Sequence, residues 1–134
     1  MIDVVCGVIF KHNKVFLCRR KPEKQLGGYW EFPGGKIEPG ETHENALRRE
    51  LVEELEMEIA QLNFFHTTVH EYESFTIRLS AFTCEFAKSS YNMADHDQFE
   101  WISIENLATK RIAPADLPIV EKLLQEKRTT QNNN

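Results

Sequence analysis

One helical segment lies between two pairs of strand-like segments, and this order constrains the fold more than any other feature of the sequence. Between Thr42 and about Glu56, the residues Leu47, Leu51 and Leu55 recur every four positions. That spacing places the leucines on one face of an α-helix. Thr42 is suited to the N-cap because its side-chain oxygen can accept a hydrogen bond from the first turn. We therefore predict a helix over this segment.

Short runs rich in β-branched and aromatic residues flank this helix on both sides. Such runs, bounded by polar turns, predict strands. Two on each side are close enough in sequence to predict a hairpin before the helix and another after it. The predicted strands are residues 3–10, 15–20, 59–72, 75–87 and 99–102.

The segment between the first hairpin and the helix is less regular. Residues 21–28 are polar and contain proline and glycine, so we expect a loop. A short apolar stretch, residues 29–32, then meets the breaker Pro33-Gly34-Gly35, which we expect to end any strand.

Near the end of the chain, an amphipathic pattern predicts a second helix from Asp116 to about Arg128. The order of elements predicts an α/β (α+β) fold, a mixed β-sheet sandwiched between helices. The length fits one domain, which we place at residues 1–128. We expect residues 129–134 to be a disordered C-terminal tail.

Charge and composition exclude several classes of function. The chain has 21 acidic and 16 basic residues and a net charge of -5, which argues against binding a nucleic acid polymer or an anionic membrane. No apolar run approaches the roughly 18 residues of a membrane span, and the start shows no export signal. The three cysteines lie far apart, as expected of reduced, buried thiols. We expect a cytoplasmic protein.

Three carboxylates of the predicted helix form the first candidate site. Glu50, Glu53 and Glu54 stand at positions i, i+3 and i+4 and therefore share a face. Their repulsion is explained if a divalent cation offsets it, and ligation by oxygen alone favours Mg²⁺ or Mn²⁺ over zinc. A solvated acidic face is an equally good explanation of the cluster alone. Gly34 and Gly35 favour the metal site, because glycine lets the backbone approach a cation and phosphates closely.

Residues 35–57, GKIEPGETHENALRRELVEELEM, resemble the Nudix signature GX₅EX₇REUXEEXGU, in which U is a bulky aliphatic residue. The one departure is Glu56, where the family has a glycine that leaves the helix with positive φ. Either Glu56 adopts that conformation, at a cost on the order of 1 kcal/mol, or the exit from the helix is shaped differently. The matching residues are Gly35, Glu41, Arg49, Glu50, Leu51, Glu53, Glu54 and Met57.

Two further elements resemble one branch of the family. Residues 29–35, YWEFPGG, look like the entry to the site of MutT-like enzymes, and residues 113–118, APADLP, resemble their C-terminal element. These enzymes act on nucleoside triphosphates such as 8-oxo-dGTP and CTP. The resemblance therefore implies hydrolysis of NTP to NMP and pyrophosphate, by water attacking the β-phosphorus. Removal of oxidised or modified nucleotides from the pool is the role this implies.

The resemblance also implies roles for the residues of the signature. Mg²⁺, with Mn²⁺ as a substitute, is expected to neutralise the triphosphate and activate a water. We expect Glu50 to act as the general base, with Glu53 as a further catalytic group and Arg49 holding Glu53 in place. The expected metal ligands are Gly34 (through its carbonyl), Glu50, Glu53, Glu54 and Asp95.

Asp95 stands at a position where the family normally has Glu. The shorter side chain leaves two interpretations equally open, a further metal ligand or a residue of a hydrophilic loop formed by residues 95–98. We expect His96 in the same segment to be a surface loop histidine rather than a ligand.

The substrate is expected to be bound by residues around the strand ends and the glycine turn. Arg20 ends the second predicted strand, where MutT-like proteins contact phosphate, although strand-end arginines are usually just exposed. The aromatic residues Tyr72, Phe75 and Phe32 are candidates for base stacking or for the core. The expected substrate-binding residues are Arg20, Gln25, Glu31, Phe32, Pro33, Gly34 and Asp116.

Asp116 aligns with the residue that selects the base. If its carboxylate is ionised it can only accept hydrogen bonds, which favours cytosine N4 or the N7–H of 8-oxoguanine. The alternative is an N-cap for the last helix, and both can hold.

Three rival functions stay open: a Nudix activity on another nucleotide derivative, a silent Nudix domain that only binds, and an acidic surface without catalysis. The partner we expect is a small-molecule nucleoside triphosphate, with the protein a monomer or weak homodimer.

Overall fold

Seven strands and two α-helices make up the described part of the chain. The structure is a computed structural model that describes residues 1–132, with side chains for residues 1–128. Two short 3₁₀ helices, Ile104–Thr109 and Pro114–Asp116, precede the last helix. The elements are β1 (Ile2–Lys11), β2 (Lys14–Arg20), β3 (Trp30–Glu31), β4 (Gly34–Lys36), α1 (His43–Leu55), β5 (Met57–Glu71), β6 (Thr76–Ser89), β7 (His96–Ser103) and α2 (Leu117–Asn132).

The strands form one mixed sheet, as predicted. Its main order is β3-β2-β1-β6-β5, with β4 paired to β1 and β7 paired to β2. The central pair, β1 and β6, is parallel, whereas the other pairs are antiparallel. Both predicted hairpins, β1–β2 and β5–β6, are confirmed. Because β1 lies at the centre, both faces of the sheet must be covered.

The two faces are covered by different helices. Alternate residues of a strand point to opposite faces. Val5 and Ile9 of β1 therefore pack into one buried cluster with the leucines of α1. Cys6 and Val8 face the other side, where Ile119 and its neighbours on α2 cover them. The predicted arrangement, a mixed sheet between helices, is confirmed.

Both ends of α1 have defined caps. The Oγ1 of Thr42 accepts a hydrogen bond from the Asn45 amide at 3.1 Å, so the predicted N-cap is confirmed. Glu56 at the other end adopts the left-handed conformation, with φ 49° and ψ 42°, and its N–H donates to Leu51 O and Val52 O. The chain thus makes the glycine-type exit with a glutamate.

The structure adds one strand and corrects two of the predicted boundaries. The preceding strand β3 does end before Pro33-Gly34-Gly35, at Glu31, but a further strand, β4, begins within that segment at Gly34 and pairs with β1. Strand β7 begins at His96 rather than at Phe99. Helix α2 continues to Asn132, so the backbone of 129–132 is helical rather than disordered; residues 133 and 134 of the predicted tail lie outside the described residues.

Within residues 1–132, neither helix combines the length and the apolar character that crossing a bilayer requires.

Candidate active site

The candidate site includes the glycine turn, which is the Gly34-Gly35 pair where β4 lies beside β1. A Cβ atom added to Gly34 would lie 1.9 Å from the carbonyl oxygen of Val5, and one added to Gly35 would lie 2.3 Å from the carboxyl carbon of Glu50. Both positions therefore require glycine, for different reasons. Gly34 lets β4 approach β1, and Gly35 lets the Glu50 carboxylate lie directly against the backbone.

The three carboxylates of α1 are not equally placed. The side chains of Glu50 and Glu54 are each 14% exposed, whereas that of Glu53 is 59% exposed. The i, i+4 pair Glu50 and Glu54 thus faces the sheet, and Glu53 lies at the solvent edge of the same stripe.

Arg49 binds the carboxylates around it. Its Nε and one terminal nitrogen bind the two carboxylate oxygens of Glu41 at 2.7 and 2.9 Å. The other terminal nitrogen donates to Glu50 at 3.0 Å and to Glu53 at 3.1 Å. These contacts lower the pKa of Glu41 to about 2, with the Arg49 hydrogen bond as the main cause. Arg49 therefore fixes Glu50 as well as Glu53.

Glu54 has no comparable partner. Its Oε2 is buried and accepts no hydrogen bond from the described residues. Burial, followed by the nearby charges of Glu50 and Asp95, raises the pKa of Glu54 to about 8. Burial also raises the pKa of Glu50, although Arg49 opposes that effect. A buried carboxylate without a partner is costly to ionise, which is the condition that a bound cation relieves.

His96 lies beside Glu54, and the sequence interpretation of His96 as a surface loop residue is wrong. Its side chain is only 1% exposed. The Nε2 atom lies 2.8 Å from Oε2 of Glu31, and Nδ1 lies 3.9 Å from Oε2 of Glu54. Residues 95–98 are polar throughout, so nothing in the sequence distinguished the one side chain that points inward.

A cleft of about 180 Å³ adjoins these residues. Its lining includes Gly34, Gly35 and Asp116. Tyr72 and Phe75 also line it, with ring centroids 4.9 Å apart and the rings stacked. Of the predicted substrate-binding residues, the lining includes Arg20, Gln25, Glu31, Phe32, Gly34 and Asp116.

Arg20 and Glu31 form an ion pair in this cleft. One terminal nitrogen of Arg20 donates to Oε2 of Glu31 at 3.2 Å, and its Nε donates to the main-chain oxygen of Gln25 at 2.8 Å. Gln25 therefore contributes its backbone to holding Arg20. The arginine is not simply exposed at the end of β2, because its side chain is tied to the lining of the cleft.

Asp116 also lines the cleft and is buried. Its Oδ2 accepts a hydrogen bond from the Phe32 amide at 2.9 Å. Burial raises the pKa of Asp116 well above its usual range, and the nearby charge of Glu31 adds to this. A raised pKa shifts the carboxyl towards its neutral form, which carries an O–H donor that an ionised aspartate lacks.

The predicted residues Arg49, Glu50, Glu53 and Glu54 of α1 adjoin the cleft without being part of its lining, and Pro33 and Asp95 are also outside the lining. The carbonyl of Pro33 accepts a hydrogen bond from the Gly7 amide at 2.9 Å, which helps to hold the glycine turn against β1. Asp95 forms an ion pair with Lys24 at 3.3 Å, and its charge raises the pKa of Glu54. It is therefore near the carboxylates but already paired.

The donors present suit a hard cation such as Mg²⁺. Within residues 1–132, no three acidic, histidine or cysteine side chains already converge on one point as a closed cage. The carboxylates of α1 nevertheless offer oxygen donors only, and the unpaired Oε2 of Glu54 is the one most in need of a cation.

Comparison with known proteins identifies the family. A family model described as the NUDIX domain matches residues 5–122. The chain belongs to the Nudix family. Among Nudix relatives, the chain is 33% identical over 124 residues to a CTP pyrophosphohydrolase of Escherichia coli K12, a match that covers 92% of each chain. It is 44% identical over 82 residues to an 8-oxo-dGTP diphosphatase of Proteus vulgaris, covering 60% of this chain and 73% of that protein.

Solved Nudix structures agree with the fold. The solution structure of the E. coli ORF135 protein is 33% identical, with a TM-score of 0.82, and the match covers 95% of this chain and 91% of the other. The MutT protein of methicillin-resistant Staphylococcus aureus 252 is 40% identical, with a TM-score of 0.74, over 93% and 96% of the two chains. The predicted Nudix fold, the MutT-like resemblance and the class of enzyme, a Nudix hydrolase, are confirmed.

Proposed function

We propose that the protein is a Mg²⁺-dependent nucleoside triphosphate pyrophosphohydrolase, which converts NTP and water to NMP and pyrophosphate. The observation that carries this proposal is that one cleft brings together groups suited to phosphates and groups suited to a base. Gly34, Gly35 and Arg20 line it, with Glu50 against Gly35, and Asp116 and two aromatic rings line it as well. A cation and a basic group suit phosphates, and an apolar space with a buried polar group suits a base.

Nudix hydrolases generally use divalent metal ions. In this chain Glu50, Glu53, Glu54 and the Gly34 carbonyl would hold Mg²⁺, with Asp95 as a further ligand if it leaves Lys24. When bound, the ion would neutralise phosphate charge and make the attacked phosphorus more electrophilic. Arg20 would bind a phosphate oxygen, since its guanidinium is already held beside the cleft by Glu31 and Gln25.

Glu50 is our choice of general base. Its carboxylate lies against the glycine turn, is largely buried, and has a raised pKa. A raised pKa makes a carboxylate a better proton acceptor. Arg49 donates to Glu50 Oε1, so the oxygen that receives the proton from the attacking water would be Oε2.

The substrates that we propose are oxidised or modified (deoxy)nucleoside triphosphates such as 8-oxo-dGTP. CTP and 5-substituted dCTP are the second candidate, because the relative that matches 92% of this chain is a CTP pyrophosphohydrolase. Asp116, through the oxygen that Phe32 does not bind, would contact the base. As a neutral acid, it can donate to a carbonyl or accept from an N–H group, and both candidate bases offer such groups.

The direct test is release of pyrophosphate from a panel of 8-oxo-dGTP, dGTP, CTP and 5-substituted dCTP, with and without MgCl₂. We expect turnover with Mg²⁺ and none with EDTA. Products other than NMP and pyrophosphate, or equal rates in EDTA, would refute the proposal.

The role of Asp116 is tested with Asp116→Asn and Asp116→Ala. Both are expected to change the ranking of the four nucleotides more than the overall phosphate affinity. An unchanged ranking in both variants would remove Asp116 from the base site.

A further inference from the structure

Strand β7 opens with a bulge, and the two side chains at it, those of His96 and Asp97, have different surroundings. Arg19 pairs with Gln98, and Arg20 pairs with His96, so Asp97 is the extra residue on β7. The Asp97 carboxylate binds the Arg19 guanidinium through two hydrogen bonds of 2.9 Å, on a side that is partly exposed. His96 points inward. Bulges are used in this way next to active sites, to redirect a side chain.

The inward imidazole contacts a residue of the cleft lining, Glu31, through Nε2. That atom lies 2.8 Å from Oε2 of Glu31, and the same oxygen accepts from Arg20 at 3.2 Å. The position of the Arg20 guanidinium therefore depends on an oxygen that His96 also binds. An imidazole held between strands is more rigid than the arginine side chain, so His96 can define where that shared oxygen lies.

The other ring nitrogen faces the carboxylates of α1. Nδ1 of His96 and Oε2 of Glu54 lie 3.9 Å apart, and both are buried without a hydrogen-bond partner. No other side-chain nitrogen or oxygen atom among the described side chains is in that condition. A buried unsatisfied polar atom costs about 1–3 kcal/mol. Two such atoms facing each other, about 1 Å beyond hydrogen-bond distance, point to a contact that forms when Glu54 moves.

We propose that His96 is a positioning residue that connects Glu54, on the metal side, to Glu31 and Arg20, on the phosphate side. Its Nδ1 orients the Glu54 carboxylate, and its Nε2 orients Glu31, which in turn holds Arg20. The role rests on the proposed function, since it assumes that Glu54 binds a cation and Arg20 a phosphate. His96 itself touches neither the cation nor the substrate.

Two conservative variants separate the two contacts. In His96→Gln the side-chain amide reaches the place of Nε2, and in His96→Asn it reaches the place of Nδ1. The readouts are the MgCl₂ concentration that half-saturates the rise in melting temperature, without nucleotide, and the KM and kcat for dGTP. His43→Gln, at the exposed start of α1, is the matched control.

We expect opposite patterns from the two variants. His96→Gln should keep KM within about twofold of the native protein but weaken Mg²⁺ binding by about tenfold, as loss of a group that supports a metal ligand does. His96→Asn should keep the Mg²⁺ midpoint and raise KM by about tenfold. Equal behaviour of the two variants in both readouts would show that His96 only fills space, and would overturn the proposal.

A measurement on the native protein tests the proposal even if the variants fail to fold. In ¹⁵N NMR spectra of the histidine rings, addition of MgCl₂ should shift the Nδ1 resonance of His96 more than its Nε2 resonance, because Glu54 is the partner that takes the ion. An unchanged Nδ1 resonance at saturating Mg²⁺ would overturn the proposal.

The two proposals fail in different ways. If the native protein hydrolyses no nucleoside triphosphate, the proposed function fails, and the Mg²⁺ midpoints and NMR spectra still decide the role of His96. If the native protein turns over and both variants match it in midpoint and KM, only the role of His96 fails.

Discussion

Replacement of Glu54 by glutamine should stabilise the metal-free protein at alkaline pH. The folded structure raises the pKa of Glu54 from an ordinary value of 4.5 to about 8 because the carboxylate is buried near Glu50 and Asp95. The folded state therefore disfavours the ionised form. Glu54 therefore leaves the free energy of unfolding unchanged below about pH 4.5. It lowers that free energy as the pH rises from 4.5 to about 8, and the loss is constant above that pH. At about 1.36 kcal/mol for each pKa unit, the full loss is about 5 kcal/mol as an upper value.

Glu54→Gln stays neutral throughout, so it avoids this loss. In urea denaturation with EDTA, the variant should match the native protein at pH 5 and exceed it at pH 8 by up to about 5 kcal/mol. Mg²⁺ should restore the stability of the native protein at pH 8, through binding to the folded state, and should have little effect on the variant.

Glu53→Gln is the matched control for this experiment. It removes a carboxylate from the same helix, one residue away, but that side chain is 59% exposed and bound to Arg49. We expect no gain at pH 8. If Glu54→Gln and the native protein lose stability equally between pH 5 and 8, the reasoning that Glu54 is a costly buried acid is refuted.

Three further outcomes follow from the local geometry. Gly35→Ala should lower kcat by at least about tenfold with little change in melting temperature, because the Cβ of the alanine would displace the flexible Glu50 carboxylate rather than backbone. A kcat equal to that of the native protein would contradict this. Glu56→Gly should raise the free energy of unfolding by up to about 1 kcal/mol, since Glu56 has φ 49°, whereas Glu56→Ala should not raise it. Urea denaturation measures both variants, and an equal effect of the two would count against backbone strain at Glu56. Thr42→Ala should cost about 1 kcal/mol in the same assay through loss of the bond to Asn45, and an unchanged midpoint would show that the cap contributes nothing.

The helix and its carboxylates were predictable because their signals are local. The leucine spacing of α1 and the capping chemistry of Thr42 act within a few residues, so both are readable from sequence. The family pattern left open whether Glu56 keeps the glycine-type exit, and the structure has that exit. What the sequence could not show is that Glu53 is exposed while Glu50 and Glu54 are buried, because that depends on how α1 rests on the sheet.

The cleft shows the same limit. Arg20, Glu31 and Asp116 were each named from their motifs, yet the ion pair between the first two and the burial of the third depend on strands that meet across the sheet. Asp116 changes most, since burial raises its pKa and adds a donor to a group that is usually ionised. Residues 95–98 are all polar, so the sequence did not indicate that the side chain of His96 is buried.

The sequence by itself determined most of the elements, the family and which carboxylates share one face of α1, because periodicity, capping and motif spacing are properties of neighbouring residues. Only the tertiary structure decided which groups are buried, which are paired, and that Oε2 of Glu54 and Nδ1 of His96 are buried without a hydrogen-bond partner. Those properties arise from desolvation and from distances between residues far apart in the chain, and neither is encoded at any one position.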